Sequence, residues 1–154
     1  MILAEPDNPF SWNYFLSAES HQAYWDKKWT SEQCSLLIDG VLHEVKKHGF
    51  ATGQWTLELD GQVVASAQKL SAFKRSFILD TNRGKVSLMA ESAFRRRFIV
   101  GGASGLIATI SPRNLFTRKA QIEVLDEDLE FPVVVFCFWL VVLCWRRQQS
   151  AASG

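Results

Sequence analysis

Apolar and polar residues alternate along several short stretches of the chain, and successive stretches are joined by a glycine. Residues 55–60 read Trp-Thr-Leu-Glu-Leu-Asp, a strict alternation that predicts a β-strand with one buried face. Asp60 and Gly61 follow, and this dipeptide favours a two-residue hairpin turn because glycine adopts positive φ without steric cost. Residues 63–69 then return with apolar side chains on one face. This segment therefore predicts a β-hairpin.

The same unit recurs with a period of about twenty-two residues, which indicates one supersecondary element used several times. The turn glycines, spaced 21, 23 and 21 residues apart, are Gly40, Gly61, Gly84 and Gly105. Four hairpins and a last alternating strand at residues 120–124 predict about nine strands. Residues 10–33 are rich in aromatic side chains but contain no such glycine, and they fit one or two strands or a short helix.

Residues 131–145 form a wholly apolar segment without a charged side chain. A helix of this composition needs apolar surroundings on every side, in a protein core or in lipid. Fifteen residues span about 22 Å as a helix, whereas a bilayer core requires about twenty residues. Arg146 and Arg147 would stay in the cytoplasm if the segment spanned a membrane, and the preceding domain would then be exported without a signal peptide. The sequence favours a buried helix over residues 131–147, with a membrane span as the alternative.

These elements predict a mainly β fold, an antiparallel meander of repeated β-hairpins that closes into a barrel around a C-terminal apolar α-helix. Closure is expected because it removes exposed edge strands. The chain has 154 residues, the length of a single domain. We expect residues 34–147 to form the barrel with its helix, residues 1–33 to belong to the same domain, and residues 148–154 to form a disordered tail.

The links between the hairpins are almost identical in sequence. They read Ser-Ala-Phe-Lys-Arg at residues 71–75, Ser-Ala-Phe-Arg-Arg-Arg at residues 92–97 and Asn-Leu-Phe-Thr-Arg-Lys at residues 114–119. Equivalent positions of successive hairpins lie at the same end of a barrel, so their bases should gather into one basic rim. The candidate anion-binding residues of this predicted rim are Lys74, Arg75, Arg95, Arg96, Arg97, Arg118 and Lys119.

A phenylalanine precedes the bases of each link. The series Phe50, Phe73, Phe94 and Phe116 is spaced 23, 21 and 22 residues apart. Its fixed place in the repeat favours rings that turn inward and plug the barrel. The alternative is exposed rings beside the bases, an arrangement that suits an anionic membrane surface.

Successive hairpins joined by short Phe-basic links and followed by a hydrophobic helix resemble the tubby C-terminal-like fold, which the tubby, LURP-one-related and phospholipid scramblase families share. The resemblance covers about residues 34–147 and is architectural, since no signature motif of one family is intact. It implies a barrel, of twelve strands in the full form, around a central apolar helix. It also implies binding of phosphoinositide headgroups, as in tubby domains.

The charge is distributed unevenly along the chain. The net charge is +1, but residues 69–119 contain eleven bases and only two acids. Such a block can mark an anionic partner or can be neutralised by the protein's own acids. Cys34, Cys137 and Cys144 do not form a disulfide framework, and the N-terminus lacks signal-peptide features, so we expect a cytoplasmic protein.

No residue pattern identifies a reaction. The histidines His21, His43 and His48 match no metal-binding spacing with the cysteines. Residues 101–105, Gly-Gly-Ala-Ser-Gly, lack the Gly-Lys-Ser/Thr ending of a phosphate-binding loop. We therefore expect no enzyme activity, no cofactor and no metal.

The sequence thus predicts a non-enzymatic cytoplasmic domain, associated with membranes through a basic rim that binds anionic lipid headgroups or another anion. One alternative is a small membrane protein with residues 131–147 inserted in the bilayer. Another is an interaction domain for nucleic acid or protein. Nucleic acid is disfavoured because the sequence does not identify exposed stacking aromatics between the bases.

Overall fold

A computed structural model describes residues 1–26, 31–49 and 53–153, in which twelve strands precede one helix. The strands are β1 (Ile2–Pro6), β2 (Tyr14–Ser17), β3 (Gln22–Tyr24), β4 (Cys34–Ile38), β5 (Val41–His48), β6 (Gln54–Leu59), β7 (Gln62–Lys69), β8 (Ser76–Thr81), β9 (Gly84–Ala90), β10 (Phe98–Gly102), β11 (Gly105–Pro112) and β12 (Ala120–Val124). The helix is α1 (Phe131–Ser153).

The strands form one antiparallel meander that closes into a barrel, as the hairpin pattern predicts. Closure is made by β1 and β12, where Ile2 lies opposite Ile122 and Ala4 opposite Ala120. The nine strands expected from the repeat are β4 to β12, and the other three come from the N-terminal residues. Strands β2 and β3 arise from the segment that the sequence left unplaced, so residues 1–26 complete the barrel.

The two Asp-Gly hairpin turns have the geometry that their sequences favour. Asp60 and Gly61 have φ values of 51° and 77°, and Asp39 and Gly40 have φ values of 50° and 76°. Positive φ at both central residues matches the twist of the flanking strands. An added Cβ would meet no heavy atom within 4 Å at Gly40 or Gly61, so the need for glycine there is conformational and not steric.

Helix α1 lies inside the barrel. Each residue from Val133 to Trp145 is buried. The helix packs against inward-facing strand residues such as Tyr14, whose ring contacts that of Phe138 edge-on with the ring centroids 5.0 Å apart. By length and composition α1 could also cross a membrane, but most of it is enclosed by the strands. The helix continues six residues beyond the expected end at 147, so residues 148–153 are helical where the sequence predicted a disordered tail.

The alternating direction of the strands divides the connections between two ends of the barrel. The hairpin end carries the tight turns described above and the start of α1, where the Phe131 ring stacks on that of His21 at 4.7 Å. The opposite end, here the link end, carries the β1–β2, β3–β4, β5–β6, β7–β8, β9–β10 and β11–β12 links. Helix α1 leaves the barrel there, and Arg75 Nη1 donates a hydrogen bond to Gln148 Oε1 at 3.3 Å.

Candidate anion-binding surface

Short polar side chains shape the link-end loops. Ser71 Oγ accepts a hydrogen bond from the backbone N–H of Phe73 at 3.1 Å, and Asn114 Oδ1 accepts one from the N–H of Phe116 at 3.0 Å. In the link between them, Ser92 Oγ accepts a bond from the N–H of Arg95 at 3.2 Å. Serine and asparagine form such turns because their side-chain oxygens reach the backbone two or three residues ahead.

A fourth link has the same local structure, although the sequence analysis did not identify it. Asn8 Oδ1 accepts a hydrogen bond from the N–H of Phe10 at 3.0 Å. The shared signal is a serine or asparagine two residues before a phenylalanine, and Asn8-Pro-Phe10 matches it without the following bases. The β1–β2 link therefore belongs with the β7–β8, β9–β10 and β11–β12 links.

The four phenylalanines of these links point to solvent, so the predicted inward orientation is wrong. Phe73, Phe94 and Phe116 are 97%, 97% and 98% exposed, and Phe10 is 84% exposed. The barrel interior has no room for them because α1 fills it with its own aromatic side chains, Phe136, Phe138, Trp139 and Trp145. Phe50, the remaining member of the predicted series, lies outside the described residues.

The bases of the predicted rim fall into two groups. The side chains of the first group contact aromatic rings, backbone carbonyl oxygens or a carboxylate of the protein at the link end. Arg96 Cζ lies 5.0 Å from the ring centroid of Trp145, and Arg118 Cζ lies 3.7 Å from that of Trp12. Burial lowers the pKa of both arginines below the ordinary value. These two guanidinium groups are therefore part of the packed end of the barrel.

Two further members of the first group also have partners within the protein. Arg75 Nη2 donates to the carbonyl oxygens of Ser92, Ala93 and Arg95 at 2.8, 3.2 and 3.0 Å, which ties the β7–β8 link to the β9–β10 link. Arg97 forms an ion pair with Glu91 at 2.8 Å. These contacts hold neighbouring links together and reduce the charge that Arg97 offers to a ligand.

The side chains of the second group have no partner among the described residues. Lys74, Arg95 and Lys119 are exposed, and none of their side chains has an ion pair or hydrogen bond with another residue in the described ranges. Each directly follows, or lies within three residues of, a fully exposed phenylalanine. The structure thus brings all seven predicted bases to one end but leaves three of them available to an external anion.

A second basic cluster at the link end, Lys47 and Arg147, shares one carboxylate of the protein. Glu32 receives hydrogen bonds from Arg147 Nε and Nη2, each at 2.6 Å, and from Lys47 Nζ at 2.5 Å. Burial raises the pKa of Glu32, but the bonds from Arg147 and Lys47 outweigh it, and the net pKa is lowered. This pairing involves bases outside the basic block of residues 69–119 and leaves the charge of that block unchanged.

The hairpin end offers a contrast. Arg83 lies 3.1 Å from Glu130 and 3.6 Å from Asp128, and Lys85 lies 2.9 Å from Asp80. These two exposed bases each have a carboxylate partner, and they provide a matched comparison for the free bases at the link end.

Within the described residues, no group of three or more His, Cys, Asp or Glu side chains could hold a metal ion. The three cysteines are buried and form no disulfide, and burial raises the pKa of Cys137 to about 12 and that of Cys144 to about 11. A thiol with a raised pKa is a poor nucleophile at neutral pH.

Comparison of the chain with models of known protein families, with curated proteins and with solved structures returned no significant match.

Proposed function

We propose that this barrel is a non-enzymatic binding domain for anionic lipid headgroups and that the link end is its binding surface. The observation that carries the proposal is the placement at one end of the barrel of three exposed bases, Lys74, Arg95 and Lys119, whose side chains have no partner among the described residues. Fully exposed phenylalanines stand beside them. A base near an anionic leaflet contributes about 1 kcal/mol to the free energy of membrane binding, and the contributions of the three bases add.

The architecture supports the same proposal. A twelve-strand antiparallel barrel around a buried C-terminal helix is what a tubby-like fold requires, and we infer a fold of this class. The resemblance implies headgroup binding by a domain that remains folded at the membrane surface. The alternative is insertion of α1 into the bilayer. The helix would then have to leave the barrel, and the apolar lining of the barrel would be exposed.

The proposal is tested by the sedimentation of the purified protein with phosphatidylcholine vesicles that contain or lack phosphatidylserine. We expect binding only to the anionic vesicles, with loss on adding salt because the charges are exposed. The double variant Arg95→Ser and Lys119→Ser should bind about tenfold or more weakly, since each base contributes about 1 kcal/mol. Neither side chain supports the fold, so the variant should unfold at the wild-type temperature.

The matched control is the double variant Arg83→Ser and Lys85→Ser, which removes the same charge from the hairpin end. It should bind like the wild type. Equal weakening by both variants would show that only net charge matters and would contradict a defined surface. A single-stranded oligonucleotide is the competing ligand, because the exposed rings could also stack on bases; tight oligonucleotide binding without vesicle binding would overturn the proposal.

A further inference from the structure

Four apolar tips stand next to each other around the link end. The strand order places the β7–β8, β9–β10, β11–β12 and β1–β2 links in consecutive positions around the barrel. Their tips are Phe73, Phe94, Phe116 and Phe10, each more than four-fifths exposed. Leu115 adds a fifth exposed apolar side chain beside Phe116. The four tips therefore form a continuous arc and not a scatter of single exposed residues.

These exposed rings contribute little to the packing of the barrel, since each is more than four-fifths exposed. A folded protein commonly leaves some apolar side chains at its surface, but several large rings that protrude together mark an interaction surface. The turn-forming Ser71, Ser92, Asn114 and Asn8 hold each loop in the shape that projects its phenylalanine. Three of the loops use the same bond to the phenylalanine N–H, and in the fourth Ser92 bonds the N–H of the next residue, Arg95, so the projection recurs in all four links.

The charge around the arc indicates what covers it. Lys74, Arg95 and Lys119 lie beside the tips, and their side chains have no partner in the part of the chain that the structure describes. Phosphate groups and acyl chains meet at the interface of an anionic bilayer, where apolar rings bury area while neighbouring bases remain at headgroup level. A free anion would satisfy the bases but leave the rings in water. A bilayer accounts for both features.

We propose that Phe10, Phe73, Phe94 and Phe116 insert into the interface of an anionic bilayer, so that the barrel docks with its link end against the membrane. This inference rests on the proposed function and adds to it the bilayer as the source of the headgroups and the orientation of the docked domain. It predicts two separable contributions to binding, one electrostatic and one apolar.

The insertion is tested with the single-cysteine label sites Phe94→Cys and Leu106→Cys. The three native cysteines are buried, so a thiol-reactive, environment-sensitive fluorophore will label the new exposed position selectively. With phosphatidylserine-containing vesicles, the label at position 94 should shift its emission to the blue and be quenched by nitroxide lipids. The label at position 106, on the opposite hairpin end, should show neither change.

The apolar contribution is measured with the triple variant Phe73→Ser, Phe94→Ser and Phe116→Ser. Its vesicle affinity should fall by about tenfold or more, because membrane binding scales with the apolar area that is buried. The matched control is Val63→Ser, Leu106→Ser and Leu125→Ser, which removes three half-exposed apolar side chains at the hairpin end and should leave affinity unchanged.

Failure of the insertion can be distinguished from failure of headgroup binding. Vesicle binding that depends on Arg95 and Lys119, without a blue shift at position 94 or an effect of the phenylalanine variant, would leave the proposed function standing and overturn the insertion. No vesicle binding by the wild type would overturn both. A dimer in solution that the phenylalanine variant converts to a monomer would assign the arc to a second copy of the chain and overturn the insertion.

Discussion

Arg96 and Trp145 make two contacts with each other at the point where the helix leaves the barrel. The Arg96 guanidinium lies over the indole with its Cζ 5.0 Å from the ring centroid, and Trp145 Nε1 donates a hydrogen bond to the Arg96 carbonyl oxygen at 3.0 Å. The side chain and the backbone of one residue thus bind the same ring. This double contact connects the β9–β10 link to the last buried turn of α1.

The Arg96–Trp145 contact should contribute to stability. We expect Arg96→Ala to lower the free energy of unfolding by about 1–3 kcal/mol, because it removes a partly buried cation–π contact and the packing of the side-chain stem. Urea denaturation monitored by circular dichroism measures the change. The neighbouring variant Arg95→Ala is the control and should alter stability by less than about 0.5 kcal/mol, as expected of an exposed surface position. Equal effects of the two variants would show that the contact contributes nothing.

The Glu32 cluster should make stability depend on pH. Glu32→Gln removes the charge that Arg147 and Lys47 share, and should cost about 1.5–3 kcal/mol at neutral pH. The folded-state pKa of Glu32 is lowered, so its contribution is present above the unfolded pKa and is lost as the pH falls through the folded value. The stability difference between wild type and variant should therefore shrink in acid, below the ordinary glutamate pKa of 4.5.

Urea denaturation of both proteins across an acidic pH series checks this dependence. Glu123→Gln, at an exposed position on β12, is the control and should follow the wild type at each pH. A difference between wild type and Glu32→Gln that stays constant through the acid range would contradict a titrating contribution from Glu32.

The turn at Asp60 and Gly61 should tolerate no β-branched residue at its second position. Gly61 has a φ of 77°, which a valine side chain resists, so Gly61→Val should destabilise the fold by about 1–3 kcal/mol. Thermal unfolding gives the change, and Gln62→Val at the first residue of β7 is the control. A loss below about 0.5 kcal/mol for Gly61→Val would mean that the turn relaxes to another geometry.

The buried position of α1 predicts a strong effect of charge within the barrel. Leu140 is fully buried, so Leu140→Asp should abolish cooperative unfolding or lower stability by at least about 3 kcal/mol, because an unpaired charge would lie in an apolar core. Ala151→Asp, in the exposed last turn of the same helix, should be tolerated. A folded Leu140→Asp protein with wild-type stability would contradict a helix enclosed by the strands.

Much of the fold follows from local pattern. Alternation and turn glycines identified strands β4 to β12, since a strand and a two-residue turn are set by neighbouring residues. Strand β1 was not predicted, and for residues 10–33, which contain β2 and β3, the sequence left one or two strands or a short helix open. These strands lack a glycine turn, and their pairing with β12 and β4 depends on barrel closure. The end of α1 was also missed, since residues 148–152 are exposed and polar or small yet continue the helix past the barrel.

The candidate surface divides in the same way. The repeat in the sequence determined that the bases of three links share one end of the barrel, because successive connections of a meander alternate between its ends and every second connection therefore lies at the same end. Only the tertiary structure decided which bases are free and where the phenylalanines point. Arg96 and Arg118 lie over tryptophans that are distant in sequence, and the link phenylalanines face water because the helix already occupies the interior. Periodicity places a residue on the fold, whereas its exposure depends on which other part of the chain fills the adjacent space.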